Sequence, residues 1–600
     1  MSKAEIKKAF QYNKIDISNT NPATKTAKPR NSWHTIKRIF TYLKQYKWML
    51  FLVIFAVLAS SGLSLLGPYL VGMTIDDFIV TKRPDGLLTI LILLIIVYIL
   101  HTLSIFLQNY WMIGIAQKTV YTLRKDVFEQ FHRLPISYFD KRQQGELMSR
   151  VTNDIDNINN TLNQSVIQIF SSVITLVGTV TVMLLLSPLL TLITMTIIPI
   201  MFFAMRAITK RTGPLYKVQQ KDLGELNGFI EEMVSGQEVV KVFSQEKRVI
   251  NEFDEKNKQL QLSSFWAQTI AGFIPKVMNT LNFLSFAFIA FFGGILAIKG
   301  YITVGVIVIF TEYARQFTRP LNELSNQFNI LLSAIAGAER VFQVLDEQAE
   351  EDDEVDAVDI HHVKGHFIFD DVTFGYDETP ILKNIHFDVQ PGEMVAFVGH
   401  TGAGKTTIIN LISRFYNYDS GEILLDGIPL NQIKRASLRQ HMAFVLQDSF
   451  LFQDTVKENI RYGKMDATDE EVIEAAKRAN AHDFIMRLPN GYKTVLDQEH
   501  SSISKGQVQL ITIARAMIAD PEILILDEAT SNIDTITELN IQAGLQALMK
   551  NRTSFVIAHR LNTIQRADQI IMLEHGEIIE RGTHAQLLRK KGTYYDLFQT

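Results

Sequence analysis

Two regimes of hydrophobic patterning divide this chain. Up to about residue 317 the apolar residues come in long runs, at 48–73, 87–110, 166–186, 189–207, 270–298 and 304–317. Most of these reach the ~20 residues needed to cross a bilayer. Buried helices of soluble proteins do not recur at this length, so the pattern predicts six membrane-spanning helices. The third and fourth runs are separated only by Ser187-Pro188, a tight turn, and the last is interrupted by Glu312 and Arg315. Residues 118–160 and 210–264 are long, charged and free of turn clusters, which predicts spans that continue as helices well beyond the membrane. The intervening loops, 75–86 and 299–303, are short. From about residue 366 the pattern changes to short apolar runs such as Met394-Val395-Ala396-Phe397-Val398 and Ile523-Leu524-Ile525-Leu526, which read as buried strands.

Charge sets the topology. Lys37, Arg38, Lys44 and Lys47 precede the first span, which places the N-terminal side in the cytoplasm, and an even number of spans returns the chain there. Residues 33–46 have the aromatic and basic character of a helix lying in the membrane interface, whereas residues 1–30 read as a basic, poorly ordered tail. No cleavable signal peptide is expected, because the first apolar run starts too late. The whole-chain net charge of -4 and the 20% of charged residues resemble a soluble protein only because a polar half is averaged with an apolar one. Asp346 to Asp359 is crowded with Asp and Glu and reads as a solvated linker at a domain boundary. There is no cysteine, which excludes disulfides, thiolate metal sites and a thiol nucleophile. His361, His362 and His366 lack partners at ligand spacing, and no basic stripe with interleaved aromatics points to nucleic acid.

The candidate chemistry lies in the second half. Gly399-His400-Thr401-Gly402-Ala403-Gly404-Lys405-Thr406 fits G-x-x-x-x-G-K-[ST] directly after a strand-like run, with Thr407 next. Such a loop converges backbone N–H groups on phosphate oxygens, with Lys405 as a point charge and Thr406 offering a hydroxyl to Mg²⁺. The strand ending in Asp527-Glu528 supplies two carboxylates. Asp527 suits the Mg²⁺ shell and Glu528 the polarisation of an attacking water.

Further landmarks stand in a fixed order: Gln447 in Val445-Leu446-Gln447-Asp448, then Ser504-Lys505-Gly506-Gln507, Asp534 in Ser531-Asn532-Ile533-Asp534, and His559 in Ile557-Ala558-His559-Arg560. With the phosphate loop they resemble the nucleotide-binding domain of an ABC transporter. The resemblance implies an ATPase that binds ATP and Mg²⁺. It assigns Gln447 to the metal, Ser504, Gly506 and Gln507 to the γ-phosphate on a partner domain, Asp534 to a contact across the dimer, and His559 to sensing that phosphate. Tyr376, after Val372-Thr373-Phe374-Gly375, matches the aromatic that stacks on adenine. Tyr138-Phe139-Asp140, Gly145-Glu146-Leu147 and Val240-Lys241-Val242-Phe243 are similar to the exporter type, in which turns near 137–144 and 227–236 form short coupling helices.

The organisation so implied is an N-terminal tail (1–32), a six-span helical membrane domain of the type I exporter fold (33–342), an acidic linker (343–365) and an α/β P-loop ATPase domain (366–600). With 600 residues there is room for one of each domain, so the resemblance implies a half-transporter that dimerises with a second one in a bacterial cytoplasmic membrane. One region departs from the family pattern. The usual Leu-Ser-Gly-Gly-Gln signature follows a glycine-containing turn, whereas this chain reads Asp497-Gln498-Glu499-His500-Ser501-Ser502-Ile503-Ser504-Lys505-Gly506-Gln507. Bacterial heterodimeric exporters pair a subunit with the catalytic Glu and an altered signature with one of the reverse kind, which favours a heterodimer here and leaves a homodimer open. For cargo, Phe283, Phe286, Phe288, Phe291 and Phe292 suit amphipathic small molecules of the multidrug type. Lipid or peptide export, and an ATP-gated regulatory or channel-like protein, are the alternatives.

Overall fold

The computed structural model describes residues 32–599, apart from 83–84, 352, 355, 378, 447–448, 497–502, 528–533 and 559–560. The expected tail therefore lies outside the described residues except for Ser32, as does the turn at 497–502 that departs from the family pattern. The chain forms two compact units, one of residues 1–132 and 144–347, the other of residues 133–143 and 348–600.

The first unit is helical. Helix α1 (Ser32–Lys44) is followed by α2 (Lys47–Val80), α3 (Leu87–Phe131), α4 (Gln144–Leu186), α5 (Pro188–Ser235), α6 (Glu246–Ile298) and α7 (Val304–Leu345). Among the described residues, α2 to α6 are long and apolar enough to cross a membrane, with windows of mean hydropathy 2.1–2.8. Only 6–29% of each window is buried, so these apolar faces point outward, which a soluble core would not tolerate. Helix α7 carries the sixth expected run, but Glu312, Arg315 and Arg319 keep it less apolar than the other five. Helix α3 has 45 residues, hence a length of about 68 Å, against about 30 Å of hydrocarbon. The expected extension beyond the bilayer follows directly.

Local chemistry shapes the joints. Ser187 is extended (φ -158°, ψ 102°), its hydroxyl accepts from Leu190 N–H at 3.3 Å, and Pro188 opens α5. That is a helix N-cap with proline in the first turn, and it gives the tight turn expected there. At the far end of these spans Asp76 accepts from the Thr303 hydroxyl at 2.5 Å and from Gly305 N–H at 2.7 Å, which fastens α2 to the start of α7. Helix α1 leaves Trp33 and Phe40 exposed, while Arg38 lies over the Phe342 ring and pairs with Asp346 at 2.5 Å. The break after α5 falls later than expected. The helix continues to Ser235, and the short helix beyond it spans Gln237–Val242.

The second unit is α/β. A four-stranded antiparallel sheet, ordered β2-β1-β4-β5, is built from β1 (Phe367–Phe374), β2 (Leu382–Val389), β4 (Ser420–Leu425) and β5 (Ile428–Pro429). The main sheet, ordered β10-β9-β3-β8-β7-β6, contains β3 (Met394–Val398), β6 (Met442–Val445), β7 (Ile523–Asp527), β8 (Thr553–Ile557), β9 (Gln569–Glu574) and β10 (Glu577–Gly582). All its pairings are parallel except β9 with β10. Its central strands are buried on both faces, as parallel strands require. Helices α8 (Lys405–Ile412), α9 (Lys505–Ala519) and α10 (Thr535–Met549) flank the sheet.

The acidic run differs from a solvated linker because it meets a cluster of cations. Asp353 lies 3.2 Å from both Arg414 and Arg435 and accepts from Arg435 N–H at 3.0 Å. Glu350 holds Arg439 at 2.9 Å, and Asp359 holds Lys434 at 2.6 Å. Ile360 and Ser437 exchange two further hydrogen bonds, at 2.9 and 3.0 Å. Burial, reinforced by Arg435, pulls the Arg414 guanidinium below its ordinary pKa, so Asp353 compensates a charge held out of water. Replacing Asp353 by Ala is expected to destabilise the second unit by roughly 1–3 kcal/mol. A thermal unfolding scan of the full-length protein, showing a lower transition for that unit than in wild type, checks this.

Candidate active site

Parallel pairing delivers several strand ends to one edge. Register aligns Phe397 with Ile557, Asp527 with Ile557, and Val445 with Leu526, so β3, β8, β7 and β6 finish side by side. The phosphate loop leaves β3 at Val398 and Asp527 closes β7. Gln447, Glu528 and His559 lie outside the described residues; β6 stops at Val445, β7 at Asp527 and β8 at Ile557, each one or two positions earlier in the chain.

Two glycines in the loop are required by geometry. Gly399 has φ +151°, and a Cβ there would sit 2.2 Å from Leu573 O; Gly404, the N-cap of α8, has φ +103° with Leu382 Cδ2 2.6 Å from any added Cβ. Ala403 N–H turns back to His400 O at 3.1 Å. The N–H groups of Thr401, Gly402, Gly404, Lys405 and Thr406 find no acceptor among the described residues. Lys405 is 8% exposed, and its Nζ donates to Gly399 O at 2.7 Å and His400 O at 3.0 Å. Burial lowers its pKa, and the nearby Asp527 charge opposes that shift. Unpaired N–H groups around a desolvated ammonium at the start of a helix form a cradle that fits phosphate oxygens. The exposed Thr406 hydroxyl and the Asp527 carboxylate are hard oxygen donors of the kind Mg²⁺ accepts.

The other candidates fall on separate elements. Tyr376 is half-buried, its hydroxyl accepts from Asn410 Nδ2 at 2.9 Å, and it reaches the hydroxyl of buried Thr407 at 3.4 Å. These bonds tie the expected adenine-stacking ring to α8. Ser504 caps α9, and the cap is reciprocal: Ser504 Oγ accepts from Gln507 N–H at 3.3 Å while Ser504 N–H donates to Gln507 Oε1 at 2.9 Å. Gly506 is buried and Lys505 is exposed at the first helical position. Asp534 caps α10, accepting from Thr537 N–H at 2.9 Å, and that backbone bond lowers its carboxyl pKa. Thus Ser504, Gly506, Gln507 and Asp534 belong to helix starts away from the glycine loop in sequence, and the structure gives the first, third and fourth of them a local capping role.

Sequence reasoning missed Tyr416 and Asn410. Tyr416 donates its hydroxyl to Asp140 at 2.7 Å, and its ring meets Tyr376 edge-on at 4.8 Å between centroids. Asp140 closes the short helix Ile136–Asp140, and its neighbour Lys141 lies 3.4 Å from Asp377. Burial and the Asp140 bond raise the Tyr416 pKa, so the hydroxyl stays a donor. Asn410 could have been found from its spacing, because it follows Thr407 by one helical turn on the same face.

A phosphate-binding loop at the edge of a parallel sheet, followed by capped helices at the signature positions, defines an ATPase of the P-loop class, and this one shares its chain with a multi-pass membrane unit. Residues 50–321 match the family of ABC transporter transmembrane regions, and residues 382–531 match the ABC transporter family. The ABC transporter ATP-binding protein YfiC of Bacillus subtilis is 59% identical over 597 residues, 99% of each chain. A fatty acid ABC transporter ATP-binding/permease protein of Mycobacterium bovis is 43% identical over 508 residues, 84% of this chain and 80% of the relative. An ATP-dependent lipid A-core flippase of Syntrophus aciditrophicus is 37% identical over 531 residues, 88% of each. The chain belongs to the ABC transporter family and is an exporter-type fusion whose ATPase is coupled to transport.

Asp527 favours the charged form of Lys405, so removing its charge lowers the lysine pKa further. Nucleotide affinity in metal-free buffer is therefore expected to fail at lower pH in Asp527→Asn than in wild type as pH rises above neutral. Titration with a fluorescent ATP analogue in chelator checks this, and superimposable alkaline limbs would contradict it.

Proposed function

We propose that this protein exports amphipathic small molecules across a bacterial cytoplasmic membrane by alternating access, as one half of a dimer with a second ABC half-transporter. The observation that carries this reading is the cradle of free N–H groups around Lys405, on the same chain as a helical unit whose apolar faces point outward. Membrane lipid is then the surrounding solvent, and the N terminus and ATPase unit face the cytoplasm. The fatty acid and lipid A-core named for two relatives are both amphiphiles, which supports the cargo class.

In this reading the loop from Gly399 through Thr407, with Lys405 and the open N–H groups, binds the phosphates, and Tyr376 carries the base. Glu528 orients the attacking water, and His559 holds the γ-phosphate. Thr406, Asp527 and Gln447 would hold Mg²⁺, which supplies charge neutralisation at the phosphates when bound. Ser504, Gly506 and Gln507 would face ATP on the partner, with Asp534 at the same junction. Val239, Val242 and Phe243 are exposed on and beside the short helix Gln237–Val242, which supports a docking partner for it.

A heterodimer is favoured by Lys505. A cation at the first position of α9 adds to the positive end of the helix dipole and stands where the usual signature has glycine. This chain would then contribute Lys405, Glu528 and His559 to the hydrolytic site, and the partner would contribute an intact signature. Glu528→Gln is expected to leave ATP binding intact and reduce hydrolysis by about 10²-fold or more. Hydrolysis by the reconstituted chain, alone and with its neighbouring half-transporter, is the measurement. Full activity of the chain alone would replace the heterodimer by a homodimer, and normal turnover in Glu528→Gln would remove the role given to Glu528.

A further inference from the structure

A cavity of about 450 Å³ opens between α6 and α7 inside the membrane unit, within the roughly 300–1,000 Å³ range of small-molecule sites. It is lined by Asn279, Asn282, Phe283, Phe286, Thr311 and Arg315, among others, and none of the described lining residues is acidic. Arg315 is the one cation in that lining, and its side chain is 66% exposed. Its only acceptor among the described residues is Glu312 Oε1, at 3.3 Å and one turn away. A single long contact leaves most of the five guanidinium donors open, and an exposed pair of this kind is weak. A charge within a membrane helix bundle is costly unless it faces a cavity and finds a counter-charge. Two other carboxylates of the membrane unit are engaged, Asp76 of α2 by Thr303 and Gly305 and Glu323 of α7 by Gln168 Nε2. Arg315 therefore remains a cation short of acceptors, beside two hydrogen-bonding side chains of α6 and α7, Asn279 and Thr311, and the rings of Phe283 and Phe286.

We propose that this cavity is a cargo site for amphiphiles with an anionic head group. The carboxylate or phosphate oxygens pair with the planar fork of Arg315, Asn279 adds amide N–H donors, and the apolar chain lies against Phe283 and Phe286, whereas the Thr311 hydroxyl already donates to Ile307 O at 2.9 Å. Cationic amphiphiles are disfavoured, because the described lining offers a positive charge and no carboxylate. The proposal rests on the exporter reading above and narrows its cargo. A free fatty acid and an anionic phospholipid share the recognised chemistry.

The test is equilibrium binding of radiolabelled palmitate, without nucleotide, to the full transporter complex in phosphatidylcholine nanodiscs. Wild type is expected to bind saturably, Arg315→Gln to weaken binding roughly tenfold or more, and Arg315→Lys to weaken it less, since the charge stays but the fork is lost. Hexadecyltrimethylammonium should not compete. Repeating the titration in phosphatidylglycerol nanodiscs distinguishes the sources: weaker apparent palmitate affinity there identifies lipid as a rival occupant, and unchanged affinity identifies the free acid. Equal affinity in wild type and both variants, or competition by the cationic amphiphile as strong as by unlabelled palmitate, would overturn the proposal. ATP hydrolysis by the same preparations is measured separately. Its absence in wild type would refute the exporter reading without touching the binding result, whereas palmitate binding that fails beside normal hydrolysis refutes only the cargo site.

Discussion

Register in the parallel sheet is the constraint on which the ATPase unit depends. Lys405, on the helix that follows β3, and Asp527, at the end of β7, belong to strands that are not neighbours, because β8 lies between β3 and β7. Their charges interact only because Phe397, Ile557 and Asp527 stand level across three strands. A slip of one residue would turn every side chain of a strand to the opposite face, carrying Phe397 and Phe555 out of the stacked aromatic layer that fills one side of the sheet. Hydrophobic packing thus fixes the register, and the register in turn places the electrostatics. The sharp turn at Gly399 is tolerable only under that arrangement, since Leu573 on the adjacent β9 leaves no space for a side chain.

The membrane unit answers a different demand. Hydrocarbon offers no partners to backbone N–H and C=O groups, so each span closes its own hydrogen bonds as a helix. Polar contacts appear where a helix starts or two helices meet: the Ser187 cap, the Asp76 clamp, and the Tyr313 hydroxyl donating to Leu65 O at 2.7 Å. Where chain and water meet again, charge takes over. The acidic segment after α7 is bound by Arg414, Arg435, Arg439 and Lys434 rather than dissolved.

Much of this was legible in the sequence, for reasons that can be named. Long apolar runs have few interpretations, so the spans were evident, including the two-residue joint at Ser187-Pro188. The glycine loop and the Asp527 strand were evident because their patterns need specific residues at specific spacing. The acidic segment was misjudged as solvated because its counter-charges, Arg414 to Arg439, lie more than fifty residues further on, and only folding joins them. Asp140 and Tyr416 escaped for the same reason, being 276 positions apart. The late end of α5 was missed because Asn227 to Ser235 carries no residue that forbids a helix, and the break waits for Gly236. The roles of Ser504 and Gln507 as a mutual cap were readable from their spacing but were overshadowed by the family motif they also satisfy.

That overlap says something about how such a signature can change. Ser504 and Gln507 are held by the stability of the helix they begin, and Gly506 is buried within it, whatever nucleotide chemistry asks of them. Lys505 is exposed like Ser504 but, unlike it, has no side-chain hydrogen bond or ion pair among the described residues. Relaxed selection on catalysis would therefore erode the motif unevenly, at the exposed position outside the cap first. A degenerate signature that still keeps its serine and glutamine is as much a record of folding constraint as of retained activity, and lineages that lose function at this site should look alike for purely structural reasons.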